Sequence, residues 1–373
     1  MSLIKSTKSL CVFLIQKIRI VSTSFLGRIK SNDEIIEEYK KWKVRNTSSL
    51  DKSISNEIKL IERGISLSDV SHLHNYTVNT AENILDMLRC FPKNASKQRV
   101  FNGLTTREIA IKNNKINLDT IADATVKKNI ECLSSFSNWC VNRGYLKSNP
   151  FKSINKKRLS TTSKRSKFDI NDLESIFNSK IYRNKEKNKH EYYFWIPLLL
   201  RYTGARMNEI CSLNTEDILI IEDIYCIKIT DNNTDKRIKN VCSHRIIPIH
   251  SELIRIGFIK YLTNINEGKL FPTINPIDGY YSNSVSKWFL RVRKSLGIGK
   301  NKCAHSFRHN FVDELYQNKV PERIIMNLVG HGSENSSKLS ITRSVYSNGY
   351  NPEVYAPYVE LISPSSTKHI EPI

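Results

Sequence analysis

Apolar residues first fall into a regular period after residue 68. The run Thr77-Val78-Asn79-Thr80-Ala81-Glu82-Asn83-Ile84-Leu85 predicts a helix start, and the spacing of Leu85 and Leu88 marks its apolar face. A second helix is predicted from Asp123, a capping residue ahead of Ala124-Thr125-Val126. It runs through Ile130, Leu133, Phe136 and Trp139 and stops at Arg143-Gly144. Pro150 closes this unit, because proline disfavours helix at the residue before it. A capped helix start recurs at Phe168-Asp169-Ile170-Asn171-Asp172-Leu173. The period changes to two only between Ile218 and Ile249. There Tyr225, Ile227 and Ile229 predict a strand, Asp231-Asn232-Asn233 a turn, and Arg245-Ile246-Ile247-Pro248-Ile249 another strand. The pattern predicts a mainly α protein with a small antiparallel β-sheet: a helical domain over 61–155 and an α+β domain over 168–373. Residues 156–167, with Lys156-Lys157-Arg158 and Lys164-Arg165-Ser166-Lys167, are polar and aperiodic and read as a basic linker, either a solvated spacer or a segment that touches phosphates. Residues 1–60 carry no clear motif and stand as an N-terminal extension of unknown role.

Length and composition agree with this division. A chain of 373 residues is too long for one compact core, and its 39% hydrophobic and 25% charged residues are those of a globular protein. Charge adds something new. Fifty-eight Lys and Arg against 36 Asp and Glu give +22, more than solubility requires, and point to a polyanionic partner with nucleic acid first. The eight cysteines form no C-x-x-C pair and sit mostly in apolar runs such as Ile210-Cys211-Ser212-Leu213. They read as reduced core residues of a cytoplasmic protein rather than a disulfide or zinc framework. The apolar run Cys11-Val12-Phe13-Leu14-Ile15 is followed by Lys17 and Arg19, which makes a poor signal peptide and is too short to span a membrane.

Several polar residues in the second domain stand where helix packing gives no reason for them. Leu198-Leu199-Leu200-Arg201-Tyr202-Thr203-Gly204-Ala205-Arg206 is an apolar helix, a glycine break, and an arginine at the next helix start. That position can hold a phosphate, or Arg206 can bridge to Glu209. In His305-Ser306-Phe307-Arg308-His309, residues three apart share a helix face, so His305 and Arg308 can address one ligand. His305 and His309 could instead pair on a metal, but the glutamate of H-E-x-x-H is missing and no third ligand is evident. Leu328-Val329-Gly330-His331-Gly332 sets a histidine between glycines, and Arg343-Ser344-Val345-Tyr346-Ser347-Asn348-Gly349-Tyr350 puts tyrosines on both sides of an Asn-Gly turn.

Taken in order, these segments resemble the tyrosine recombinase (phage integrase) family, whose signature is Arg, Lys, His-x-x-Arg, His or Trp, then Tyr. The resemblance spans roughly residues 70–360. It includes a helical core-binding domain, where Leu133-Ser134-Ser135-Phe136-Ser137-Asn138-Trp139, Gly144-Tyr145 and Asn149-Pro150 look typical. It implies Arg206 as the first catalytic arginine with Glu209 bracing it, His305 and Arg308 as the His-x-x-Arg pair, His331 as the second histidine and Tyr346 as the nucleophile. For the lysine, Lys239 fits the frame Lys239-Asn240-Val241-Cys242-Ser243-His244-Arg245-Ile246-Ile247-Pro248, and Lys236 is the alternative. The gap from His331 to Tyr346 is longer than in many relatives, and Tyr350 is a second candidate nucleophile.

The implied activity is site-specific recombination of double-stranded DNA through a 3′-phosphotyrosine, by a homotetramer on two sites. It requires no cofactor, metal or ATP. The rivals are a type IB topoisomerase-like strand transferase and a non-catalytic DNA-binding relative. A two-metal transposase would need clustered carboxylates, and no such set lies near the basic motifs. At the end of the chain, Val354, Tyr358, Val359 and Leu361 give residues 353–362 an apolar surface with too few positions for a core. That segment could dock on a neighbouring copy or pack on its own domain.

Overall fold

A computed structural model describes residues 30–47, 51–154, 165–230, 244–277, 279–331 and 351–373. These form two compact units, divided between Thr162 and Ser163.

The first unit is helical. Helices α1 (Asn32–Asn46), α2 (Asp51–Leu67), α3 (Val78–Cys90), α4 (Thr106–Ile116) and α5 (Asp123–Asn142) surround one core. Three of them open with reciprocal caps that satisfy free N–H groups: Ser31 with Glu34, Thr77 with Thr80, and Thr105 with Glu108. At α5 the cap is Ala122, and Asp123 is the first helical residue, where its charge complements the helix N-terminus. Val126, Ile130, Leu133, Phe136 and Cys140 line the buried side of α5, and α2 comes close enough that a Cβ on Gly64 would lie 2.4 Å from Leu133. Residues 32–60, which carry no sequence motif, supply Ile35, Ile36, Tyr39, Ile54 and Ile58 to the same core. The helical unit therefore starts well before residue 61.

The second unit places helices around a three-stranded antiparallel sheet in the order β1 (Ile218–Ile221), β2 (Ile224–Ile229), β3 (Arg245–Pro248). Glu222 and Asp223, both with positive φ, make a two-residue turn that pairs Ile221 with Ile224. The expected turn at 231–233 lies outside the described residues. Helix α6 (Ile170–Phe177) starts at the Asp169–Asp172 cap, and the short α7 spans Lys180–Arg183. Helix α8 (Tyr192–Thr203) is apolar almost all round and lies inside the unit. It ends at Gly204, whose φ of 59° is the left-handed value that a glycine tolerates. Helices α9 (Met207–Cys211), α10 (Ser251–Ile256), α11 (Phe258–Thr263), α12 (Ser282–Ser295), α13 (His305–Gln317) and α14 (Glu322–Val329) follow.

The last helix, α15 (Pro352–Val359), packs on its own domain, one of the two alternatives open for the chain end, and contributes more to the core than its few apolar positions suggested. Tyr355, Val359, Ile362 and Ile370 are buried in the second unit itself. The Glu360 carboxylate accepts from the Ser251 N–H at 2.7 Å and its hydroxyl at 2.6 Å, and Thr367 donates to Glu252 at 2.6 Å. Val354 and Leu361, two of the residues expected to dock, remain exposed. The segment belongs to its own fold.

Of the eight cysteines, Cys11 and Cys242 lie outside the described residues, and Cys90 and Cys303 are half-buried. Cys132, Cys140, Cys211 and Cys226 are buried free thiols. Burial pushes Cys140 up to about 12 and Cys211 higher still. Among the described residues no helix is long and apolar enough to cross a membrane.

Candidate active site

The site is assembled where helix ends meet the sheet, and helix-terminal carbonyls do much of the positioning. Arg206 caps α9. Its backbone N–H donates to Glu209 Oε2 at 2.8 Å and its Nη1 to Glu209 Oε1 at 2.7 Å, so the bridge anticipated from sequence forms. Its Nη2 donates to the carbonyl of Gly330 at 3.1 Å, the residue that ends α14. Helix C-termini present unpaired, partly negative carbonyls, which suit a guanidinium. His331 is the next residue. Its N–H closes the turn onto Met326 O at 3.0 Å, and the residue is exposed.

Glu209 is 6% exposed and also takes a second cation. Arg245, at the start of β3, donates from Nη2 to Glu209 Oε2 at 2.7 Å and from Nε to Leu328 O at 2.7 Å. Burial alone would raise the Glu209 pKa, but Arg245 and then Arg206 outweigh it and hold the carboxyl below its ordinary value. Arg245 is the member that the sequence reading left out. Its signal was an arginine opening an otherwise apolar strand, with a side chain that proves only 6% exposed.

Arg308 comes from the first turn of α13 and is 4% exposed. Nη1 donates to the Gly204 carbonyl at 2.9 Å, a second helix-ending glycine. Nη2 is buried and takes no hydrogen bond among the described residues. Burial, then the charges of Arg206 and Arg245, push Arg308 down to about 9. It therefore stays protonated at neutral pH, with one donor edge unsatisfied.

His305 is the first residue of α13 and lies on the same side as Arg308. Burial, followed by His309, Arg308, Arg165 and Arg206, pushes it down to about 4, so it is neutral at pH 7. The His305 and His309 rings stand edge to face with centroids 5.1 Å apart. Arg206, Glu209, His305, Arg308 and His331 are thus gathered on neighbouring helix ends. Lys239, Lys236, Tyr346 and Tyr350 lie outside the described residues.

Among the described residues, Arg206 and Arg245 share the buried Glu209 carboxylate, and Arg308 beside them keeps a buried donor without a partner next to a neutral imidazole. Such a cluster can donate to an oxyanion of high charge density and accept a proton.

Comparison with known proteins agrees with this chemistry. A family model described as "Phage integrase family" matches residues 168–346. A tyrosine recombinase of Thermosipho africanus (strain TCF52B) is 24% identical over 267 residues, covering 70% of this chain and 88% of that protein. Among solved structures, a lambda integrase dimer bound to a COC′ core site superposes with a TM-score of 0.56 at 14% identity, over 86% of this chain and 98% of that one. A lambda integrase tetramer bound to a Holliday junction gives 0.57 at 16% identity, over 85% and 82%. At these identities the solved structures speak for the fold.

Proposed function

Because this chain belongs to the phage integrase family of tyrosine recombinases, we propose that it cuts and rejoins double-stranded DNA through a 3′-phosphotyrosine formed by Tyr346. A phenol with an ordinary pKa near 10 is a weak nucleophile at pH 7, so it needs a proton acceptor and a stabilised transition state. Neutral His305 takes the phenolic proton as the Tyr346 oxygen attacks phosphorus. Arg206 and Arg308 donate to the two non-bridging oxygens as charge builds, and His331 adds a further hydrogen bond. Lys239 gives a proton to the departing 5′-oxygen. A 5′-hydroxyl from another strand reverses these steps and releases the tyrosine, so the bond energy is conserved. Glu209 and Arg245 orient Arg206 without touching the phosphate.

One observation carries this reading: the buried, charged Arg308 with an unsatisfied Nη2 beside Arg206 and neutral His305. A phosphate oxygen can accept from that buried edge while Arg206 donates beside it. The charge of +22 supplies the long-range attraction to DNA. Solved relatives of this fold include a dimer on a core site and a tetramer on a Holliday junction, which supports four protomers of this chain on two duplexes.

A nicked duplex that traps the covalent intermediate tests the assignment. The wild-type chain forms a protein–DNA adduct stable to detergent. Tyr346→Phe abolishes it while leaving duplex binding nearly intact, and Tyr350→Phe does not. Trapping of Tyr346→Phe together with loss of trapping in Tyr350→Phe reassigns the nucleophile.

A further inference from the structure

Helix α13 has a second side that the chemistry does not use. His305 and Arg308 face the candidate phosphate site, whereas Ser306, Asn310 and Asp313 recur at three- and four-residue spacing on another face. All three bind the segment that enters the second unit. Ser306 Oγ donates to Ser166 O at 2.6 Å. Asn310, 5% exposed, pairs with Phe168 as a strand neighbour would: Oδ1 accepts from its N–H at 2.9 Å and Nδ2 donates to its carbonyl at 2.8 Å. Asp313 pairs with Lys167. The loop before α13 adds to this. Asn301 O accepts from Ser166 N–H at 3.1 Å, Asn301 Nδ2 donates to Ser166 Oγ at 2.8 Å, and Lys302 pairs with Asp169 and Asp172.

These bonds fix the backbone at Ser166, so Arg165 immediately before it is held at the N-terminal end of α13. Its neighbours divide their charges among carboxylates: Lys167 to Asp313, Lys302 to two aspartates. Arg165 is exposed and joins none of the ion pairs formed among the described residues. Its charge is felt at both His305 and His309. An unneutralised cation beside that pair is poised for an anion.

We propose that Arg165 is a DNA-phosphate-binding residue adjoining the cleavage site, and that Asn310, aided by Ser306, is the positioning residue that holds it there. The proposal rests on the recombinase reading for its ligand.

The test uses the full chain carrying Tyr346→Phe and a labelled mixed-sequence DNA duplex, with affinity measured across a range of salt concentrations. Each phosphate contact contributes about 0.9 to the slope of log affinity against log salt. Arg165→Gln lowers the slope by about 0.9. The advantage of the unaltered arginine then shrinks about threefold between 50 and 200 mM salt. Asn310→Ala lowers the slope by the same amount, and the double variant goes no lower than either single one, because both remove one contact. Should Asn310→Ala fail to fold, Ser306→Ala takes its place. An unchanged slope in Arg165→Gln overturns the phosphate contact. A lower melting temperature in Asn310→Ala with an unchanged slope overturns the positioning role. Covalent trapping by Tyr346 is read separately in the otherwise wild-type chain, so failure of the cleavage chemistry is distinguishable from failure of this contact.

Discussion

Glu209 holds two guanidinium groups at once from a nearly buried position, and its removal therefore differs from the loss of a surface ion pair. Glu209→Gln leaves Arg206 and Arg245 facing one another with a neutral acceptor between them. Breaking a buried pair from one side costs about 3–5 kcal/mol. Urea unfolding should show a loss near the lower end of that range, since the amide oxygen still accepts one bond. Trapping of the covalent adduct should fall further than duplex binding, because Arg206 loses its orientation. His305 makes a second residue-scale prediction. Its folded pKa, about 4, lies below its ordinary 6.5, so the unfolded chain binds the proton first as pH falls. The stability associated with neutral His305 is complete above pH 6.5 and is lost between 6.5 and about 4. His250 and His309 are shifted in the same direction and contribute to the same decline. His305→Gln should flatten the fall of melting temperature across that interval. An equally steep fall in the variant would refute the shift.

At the scale of elements, α8 and α13 are joined through Gly204, whose carbonyl anchors Arg308 and whose Cβ position is occupied. A methyl there would lie 2.5 Å from the Phe311 ring, on a backbone of φ 59°. Gly204→Ala should lower stability by about 1–3 kcal/mol through strain and overpacking and displace the Arg308 anchor. Calorimetry and adduct trapping, measured together, check both effects. The Gly204-Ala205-Arg206 break and the His305-x-x-Arg308 spacing were legible in the sequence because each is local: a helix end, or two residues one turn apart. The strands at 224–229 and 245–248 were legible for the same reason, the first from the alternation of Tyr225, Ile227 and Ile229 and the second from a short β-branched run. Arg245 was not, because its partner is a glutamate 36 residues away on another element. Nor was the Asn310–Phe168 pairing, where an asparagine inside a helix gives no hint of a backbone 142 residues away. The core role of residues 32–60 was partly legible: Ile54, Ile58, Ile61 and Ile65 recur at helical spacing, but the α5 face they pack on lies far along the chain.

On the scale of the whole molecule, the chain end tests how the second unit holds together. Tyr355, Val359, Ile362 and Ile370 are buried there, and each such side chain contributes about 1.5–3 kcal/mol. Together they match the whole stability of a typical domain, about 5–15 kcal/mol. Deleting residues 353–373 should leave the second unit unfolded or insoluble, as read by circular dichroism. A soluble truncated protein with a wild-type melting temperature would contradict the packing. The buried thiols give that outcome a finer reading. Cys140 belongs to the first unit and Cys211 to the second, and neither offers a thiolate at neutral pH while its unit is closed. Pulsed alkylation followed by peptide mass mapping thus makes the two sulfurs independent clocks, each timing how often its own unit opens. DNA that grips both units should slow both clocks, whereas a ligand confined to one would slow a single one.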